Sequence, residues 1–209
     1  MLPTAVTIER RSGGGKVLTG YAAVFYKPGI PGTQYQLNRG IVERIRPGAF
    51  DKALRERQDT ICCWNHDADY PLGRVSSGTC RLSVDSVGLK YSCDLPQYPF
   101  PPGLVELLER RDVSGSSFQF VMGDDQWEED GSSIVRWVNE IALLIDVGPV
   151  TTPAYAASTA TIAGSPPIRA AVPAVGSDAV AVRLRMLAID EERERDRDAV
   201  AKRLRQLGL

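Results

Sequence analysis

Between residues 17 and 150 the chain is a succession of short apolar runs cut apart by Gly, Pro, Asn and Asp, with helical periodicity in only two brief stretches. That punctuation constrains the fold more than any other feature. Runs of this length with β-branched and aromatic residues read as strands, and turn-forming clusters between them read as hairpin connections. Residues 4–11 and 17–25, joined by the Gly-rich turn 12–15, predict a first hairpin. A Pro- and Gly-containing loop over 26–36 precedes a strand at Ile41–Ile45 and a brief helix over 51–57. Strands follow at 60–64, 73–75, 80–84 and 89–95, with a turn at 85–88 and a loop over 68–72. A second helix is predicted over 103–111, after a Pro-rich segment at 97–102. Strands at 117–122, 134–138 and 141–150 close the series, and acidic residues 123–131 read as an exposed turn between them. So many strands with so few helices predict a mainly β fold, a closed or nearly closed β-barrel with peripheral helices.

The pattern changes after residue 157. Residues 158–177 are rich in Ala, Pro, Gly, Ser and Thr and read as a flexible linker. Residues 178–209 hold helix formers throughout, with Val180, Leu184 and Leu187 on one face and an almost wholly charged stretch from Asp190 to Asp198. Three segments follow: a barrel domain over 1–157, the linker, and a charged helical tail. The formal charge of −1 argues against a broad nucleic-acid surface. No apolar run approaches the length of a membrane span, and no signal peptide is legible at the N-terminus.

Within the barrel segment, residues 112–121 run from a small-residue turn into an alternating strand. Period-2 alternation puts Ser117 and Gln119 on one face and Phe118 and Phe120 on the other. A hydroxyl on a strand backed by buried aromatics loses little freedom when it is oriented for attack. Serine needs a base, and His66 is the only histidine in the chain. Hydroxyl plus imidazole is the minimum for acyl transfer, and a carboxylate behind the ring would fix its tautomer. Glu140 and Asp146 share parity on the strand that ends at Val150. Asp146 lies among Leu143, Leu144, Ile145 and Val147, where an inward carboxylate needs a hydrogen-bonded partner. Asp67, next to His66 on a strand, should point away from it.

Four cysteines, Cys62, Cys63, Cys80 and Cys93, fall close to His66. Their spacing fits no common zinc knuckle, so they read as buried thiols, and neither a metal nor a cofactor is expected. Disulfides are not expected in a chain without an export signal.

Several motifs resemble, in register, the phage prohead maturation proteases of the HK97 type. They are Gly20-Tyr21-Ala22-Ala23-Val24-Phe25, Arg46-Pro47-Gly48-Ala49-Phe50, Trp64-Asn65-His66-Asp67 with Leu72-Gly73, and Asp85-Ser86-Val87-Gly88-Leu89. Ser114-Gly115-Ser116-Ser117-Phe118-Gln119-Phe120 and Asp146-Val147-Gly148-Pro149-Val150 with Pro153-Ala154-Tyr155 complete the match, which spans residues 17–157. That family is similar in fold to the herpesvirus assemblins, which implies a β-barrel of that type surrounded by helices. By resemblance Ser117 is the nucleophile and His66 the general base. Asp146 stands where the family usually has a glutamate, and Glu140 is held in reserve for the third role. Gln119 stands where the family usually has Gly. Arg136 is a candidate to orient an oxyanion loop, against the commoner reading of a strand-surface arginine.

The resemblance implies a serine endopeptidase that cleaves capsid or scaffold precursor protein, and itself, inside the assembling prohead in the host cytoplasm. It also implies self-association of the homodimer kind; the charge and the lack of a long apolar run predict no nucleic-acid or membrane partner. The linker and tail fit a region that recruits the enzyme to the shell or is trimmed after assembly. The competing readings are a non-enzymatic shell or scaffold component, and a zinc module using Cys62, Cys63 and His66.

Overall fold

The computed structural model describes residues 15–96 and 103–162. The predicted first strand, the Pro-rich segment at 97–102, most of the linker and the charged tail lie outside the described residues. The element order is β1 (Val17–Val24), β2 (Tyr35–Asn38), β3 (Ile41–Ile45), α1 (Asp51–Arg55), β4 (Ile61–Trp64), β5 (Asp67–Arg74), β6 (Cys80–Val84) and β7 (Gly88–Asp94). Then come α2 (Leu104–Arg110), β8 (Gly115–Asp130), β9 (Ser133–Val150) and β10 (Thr159–Ile162). The fold is mainly β, as the punctuation predicts.

Among the described residues the strands do not close into one ring. They form two sheets, one ordered β10-β1-β7-β6 and one ordered β2-β3-β9-β4-β5, with β8 paired to β9. A barrel requires each strand to be hydrogen-bonded on both sides. Among the described residues β2, β5, β6 and β10 each have one sheet neighbour. Both sheets contribute to a single core, with Leu18, Ala22, Leu89 and Tyr91 from the first and Ile45, Val138, Leu144 and Val147 from the second.

β9 is the strand on which the larger sheet is built. β8 runs antiparallel along one whole edge, from Gly115 opposite Val150 to Asp130 opposite Ser133. The other edge is shared by two parallel strands in tandem: β3 beside Ile134–Val138 and β4 beside Asp146–Val147. Between them the Ile141 amide donates to the Ala49 carbonyl at 2.9 Å, just before α1. Gln58 then replaces a strand: its Nε2 donates to the Ala142 carbonyl at 2.8 Å and its Oε1 accepts from the Leu144 amide at 2.8 Å. Every backbone group on this buried edge needs such a partner.

Four local readings change. The start of the predicted linker is ordered: Ser158 is buried and Thr159–Ile162 forms β10, paired antiparallel to β1. Tyr35–Asn38 is a short strand rather than loop, held by antiparallel pairing to β3. Residues 68–72 belong to β5, which returns directly from β4. The acidic segment 123–131 is mostly strand, since β8 continues to Asp130. Its carboxylates find cations on neighbouring strands: Asp125 Oδ2 lies 2.6 Å from Arg136 Nε, and Asp130 Oδ2 lies 2.8 Å from Arg44 Nη1. Opposite charges across a sheet remove the repulsion that would otherwise favour a solvated turn.

Candidate active site

Ser117 is positioned by its neighbours. Phe118 stacks on Phe120 with ring centroids 5.1 Å apart and meets Phe50 edge-on at 5.6 Å, which anchors the strand from behind. Ser116 turns inward and is fully used. Its Oγ pairs with the Tyr91 hydroxyl at 2.7 Å and donates to the Thr159 carbonyl at 2.6 Å. The Ser158 hydroxyl donates to the Ser116 carbonyl. Ser117 therefore takes the opposite face, 6 % exposed, directly across from Gly148 of β9. Two positions further, Gln119 lies opposite Asp146 and is exposed. Side chains of directly opposed residues lie on the same face of a sheet, so Ser117, Gln119 and Asp146 share one face.

His66 reaches that face from a turn. Trp64 pairs with Asp67, leaving Asn65 and His66 as a two-residue hairpin loop, with φ of 51° and 61°. Both values are left-handed, as in the mirror-image turns that suit the twist of paired strands. Holding a non-glycine residue there costs roughly 1 kcal/mol or more, so the surroundings must impose it. The ring meets Asp146: His66 Nδ1 and Asp146 Oδ1 are 2.6 Å apart. Asp146 is 4 % exposed, which makes this bond the partner that its apolar setting demands. A carboxylate can only accept, so Nδ1 is the donor, and in the neutral ring Nε2 is left with its lone pair.

The other carboxylates are occupied elsewhere. Glu140 binds Lys52 Nζ at 3.0 Å and lies opposite Asp124, well along β8 from Ser117. Asp67 is exposed and its Oδ1 accepts from the Asp69 amide at 2.9 Å. Arg136 lies opposite Trp127 on the far half of the hairpin, 2.6 Å from Asp125 Oδ2 and 3.5 Å from Glu43 Oε2. The candidate oxyanion arginine is thus part of a surface-to-core ion network, remote along the strand from Ser117.

Two further residues belong to the site: Cys63, which the sequence marks only as a buried thiol or zinc ligand, and Asn65, which it marks only as part of the Trp64–Asp67 motif. Cys63 is buried under the site. Burial, and then the charges of Asp146 and Asp67, push this thiol up to about 12, so it stays protonated at neutral pH. Asn65 ties the turn to β9, its amide donating to the Pro149 carbonyl at 3.0 Å. An Asn at the first position of a two-residue hairpin is the one signal that could have marked it. The remaining thiols, Cys62, Cys80 and Cys93, are buried and free. Among the described residues no group of His, Cys, Asp and Glu is arranged to hold a metal ion.

The family model of caudovirus prohead serine proteases matches residues 4–166, which includes every residue placed above. The chain belongs to the caudovirus prohead serine protease family. No curated protein and no solved structure matches it. Family membership supports a phage capsid-maturation protease that acts within the assembling capsid in the host cell. Among the described residues, no helix of this prohead protease is long and apolar enough to cross a membrane.

Proposed function

We propose that this chain is a serine endopeptidase in which Ser117 attacks the scissile carbonyl, His66 is the general base and Asp146 holds the imidazole. The observation that carries the reading is the 2.6 Å contact between His66 Nδ1 and the buried Asp146 carboxylate, on the sheet face that also bears Ser117. With Nδ1 donating to Asp146, Nε2 is the atom free to take the Ser117 proton. Ser117 Oγ forms a bond to the carbonyl carbon, Nε2 takes the proton, and the tetrahedral adduct collapses as Nε2 returns it to the leaving amine. Water, deprotonated in turn by Nε2, then releases the acyl group and restores the hydroxyl. Asp146 stays ionised throughout and balances the imidazolium that forms at each step.

The substrate in this reading is capsid or scaffold precursor protein of the same phage, and self-cleavage within the linker at 158–177 belongs to it. The test is co-expression with the capsid precursor, wild type against Ser117→Ala, with products read by intact mass. Wild type should convert the precursor to one or a few discrete fragments and Ser117→Ala should leave it whole. Cleavage persisting in Ser117→Ala would remove the assignment.

A further inference from the structure

We infer that Asn65 is a positioning residue for the His66 imidazole, locking it to the strand that carries Asp146. The inference rests on the proposed roles of Ser117, His66 and Asp146 and concerns what holds that arrangement together. His66 stands at the second position of a left-handed two-residue turn, a place that suits glycine better than an imidazole. Something must therefore impose the turn, and Asn65 makes the contacts that can. Its backbone N–H donates to the Pro149 carbonyl at 3.0 Å. Its Oδ1 accepts from the Thr151 amide at 2.9 Å and from the Thr151 hydroxyl at 3.3 Å.

All three contacts go to the end of β9 or to the residue just after it, only three to five residues past Asp146. His66 is thus held at two points by one stretch of chain: its ring by Asp146 and its turn by residues 149–151. Gly148, opposite Ser117, lies between those points. The distance from base to nucleophile is set along a single strand rather than through the exposed β5 segment that follows. Asn is suited to the task because it tolerates positive φ and carries an acceptor one bond from Cβ. Aspartate keeps both properties; glycine keeps only the first; alanine keeps neither.

The experiment uses the full chain and the fact that His66 is its only histidine. Nitrogen-15 spectra of the single imidazole report the tautomer directly, in a Ser117→Ala background that prevents self-cleavage. In that background the Nδ1–H form should dominate. Asn65→Ala and Asn65→Gly should give exchange-broadened, mixed-tautomer signals, and Asn65→Asp should restore the single form. With Ser117 intact, cleavage of the capsid precursor should lose at least tenfold in kcat for Asn65→Ala and Asn65→Gly. KM should stay within twofold, the acid limb of the pH profile should move, and Asn65→Asp should recover most of the rate. Thermal midpoints should change little, because the Asn65 contacts are exposed. Asn65→Gly guards against misfolding of the alanine variant, since glycine adopts the turn freely. Wild-type kcat and an unchanged Nδ1–H signal in Asn65→Gly would overturn the inference. Cleavage persisting in Ser117→Ala would instead overturn the proposed mechanism, while the imidazole spectra still decide the role of Asn65.

Discussion

Gly148 packs against the main chain of Cys63: a Cβ at position 148 would stand 2.0 Å from the Cys63 carbonyl oxygen and 3.1 Å from its nitrogen. No heavy atom tolerates that approach, so Gly148→Ala must push β4 away from β9. The cost should be about 1–3 kcal/mol, as for overpacked cores. Because β4 leads directly into the His66 turn, the same displacement should lower cleavage more than tenfold at temperatures where the variant is still folded. Thermal unfolding and precursor cleavage, measured on the same sample, check both halves.

Asp146 and Glu140 separate cleanly as alternatives for the group behind the imidazole. Asp146→Asn replaces a pure acceptor with an amide that can present a donor to Nδ1 and so favour the wrong tautomer. By analogy with other serine–histidine–carboxylate systems, kcat should fall by about 10²–10⁴-fold. Glu140→Gln loses a half-exposed contact with Lys52 and should leave the rate within twofold, with a stability change of at most about 1 kcal/mol. Equal losses in the two variants would contradict the assignment.

Adjacent serines should behave as opposites. Ser117→Ala should abolish cleavage and leave the unfolding midpoint nearly unchanged. Ser116→Ala removes a hydroxyl bonded to Tyr91 and Thr159 in the buried seam, leaving those polar groups short of a partner. It should cost about 1–3 kcal/mol. Chemistry should survive wherever the variant remains folded, which a melting curve paired with an activity assay will show.

Asp85 gives the fold an acid-sensitive joint. Burial pulls its carboxyl up, but the Tyr21 hydroxyl at 2.6 Å and the Val87 and Gly88 amides at 2.7 and 3.3 Å outweigh this and hold it below the ordinary value of 3.8. A depressed native pKa means that the unfolded chain binds more protons. The contribution is therefore complete above 3.8 and disappears as pH falls through the native value. Asp85→Asn should be less stable than wild type at neutral pH, by at most a few tenths of a kcal/mol because solvent screens this exposed carboxylate, with the gap narrowing below pH 3.8. Denaturant titrations of both proteins across that range measure it.

Most strands were legible because apolar runs bounded by turn residues leave few other solutions, and α1 and α2 fell where helical spacing predicted them. The acidic half of β8 was not, because its stability comes from Arg136 and Arg44 on other strands, which local sequence does not reveal. Asp146 was legible from its apolar flanks. Its equal parity with Glu140 was misleading: register shifts between Gln119 and Asp125 break the alternation along the hairpin, so the two carboxylates land in unrelated surroundings. At Ser117, which precedes every one of those shifts, alternation held. The Asn65–His66 turn was hidden because it lacks the glycine that usually announces such a hairpin. Ring closure, too, is a property of strand pairing that strand count alone does not specify.

The seam joining Ser116 to residues 158 and 159 sets a boundary for any trimming of this chain. Thr159–Ile162 complete the sheet beside β1, with Tyr21 opposite Thr159 and Leu18 opposite Ile162. A nick on the near side of residue 159 would strip that edge and undo the anchorage of the strand that carries Ser117. One beyond residue 162 would leave both intact. In the proposed function, self-cleavage would therefore be a shut-down step on one side of these four residues and a harmless release of the tail on the other.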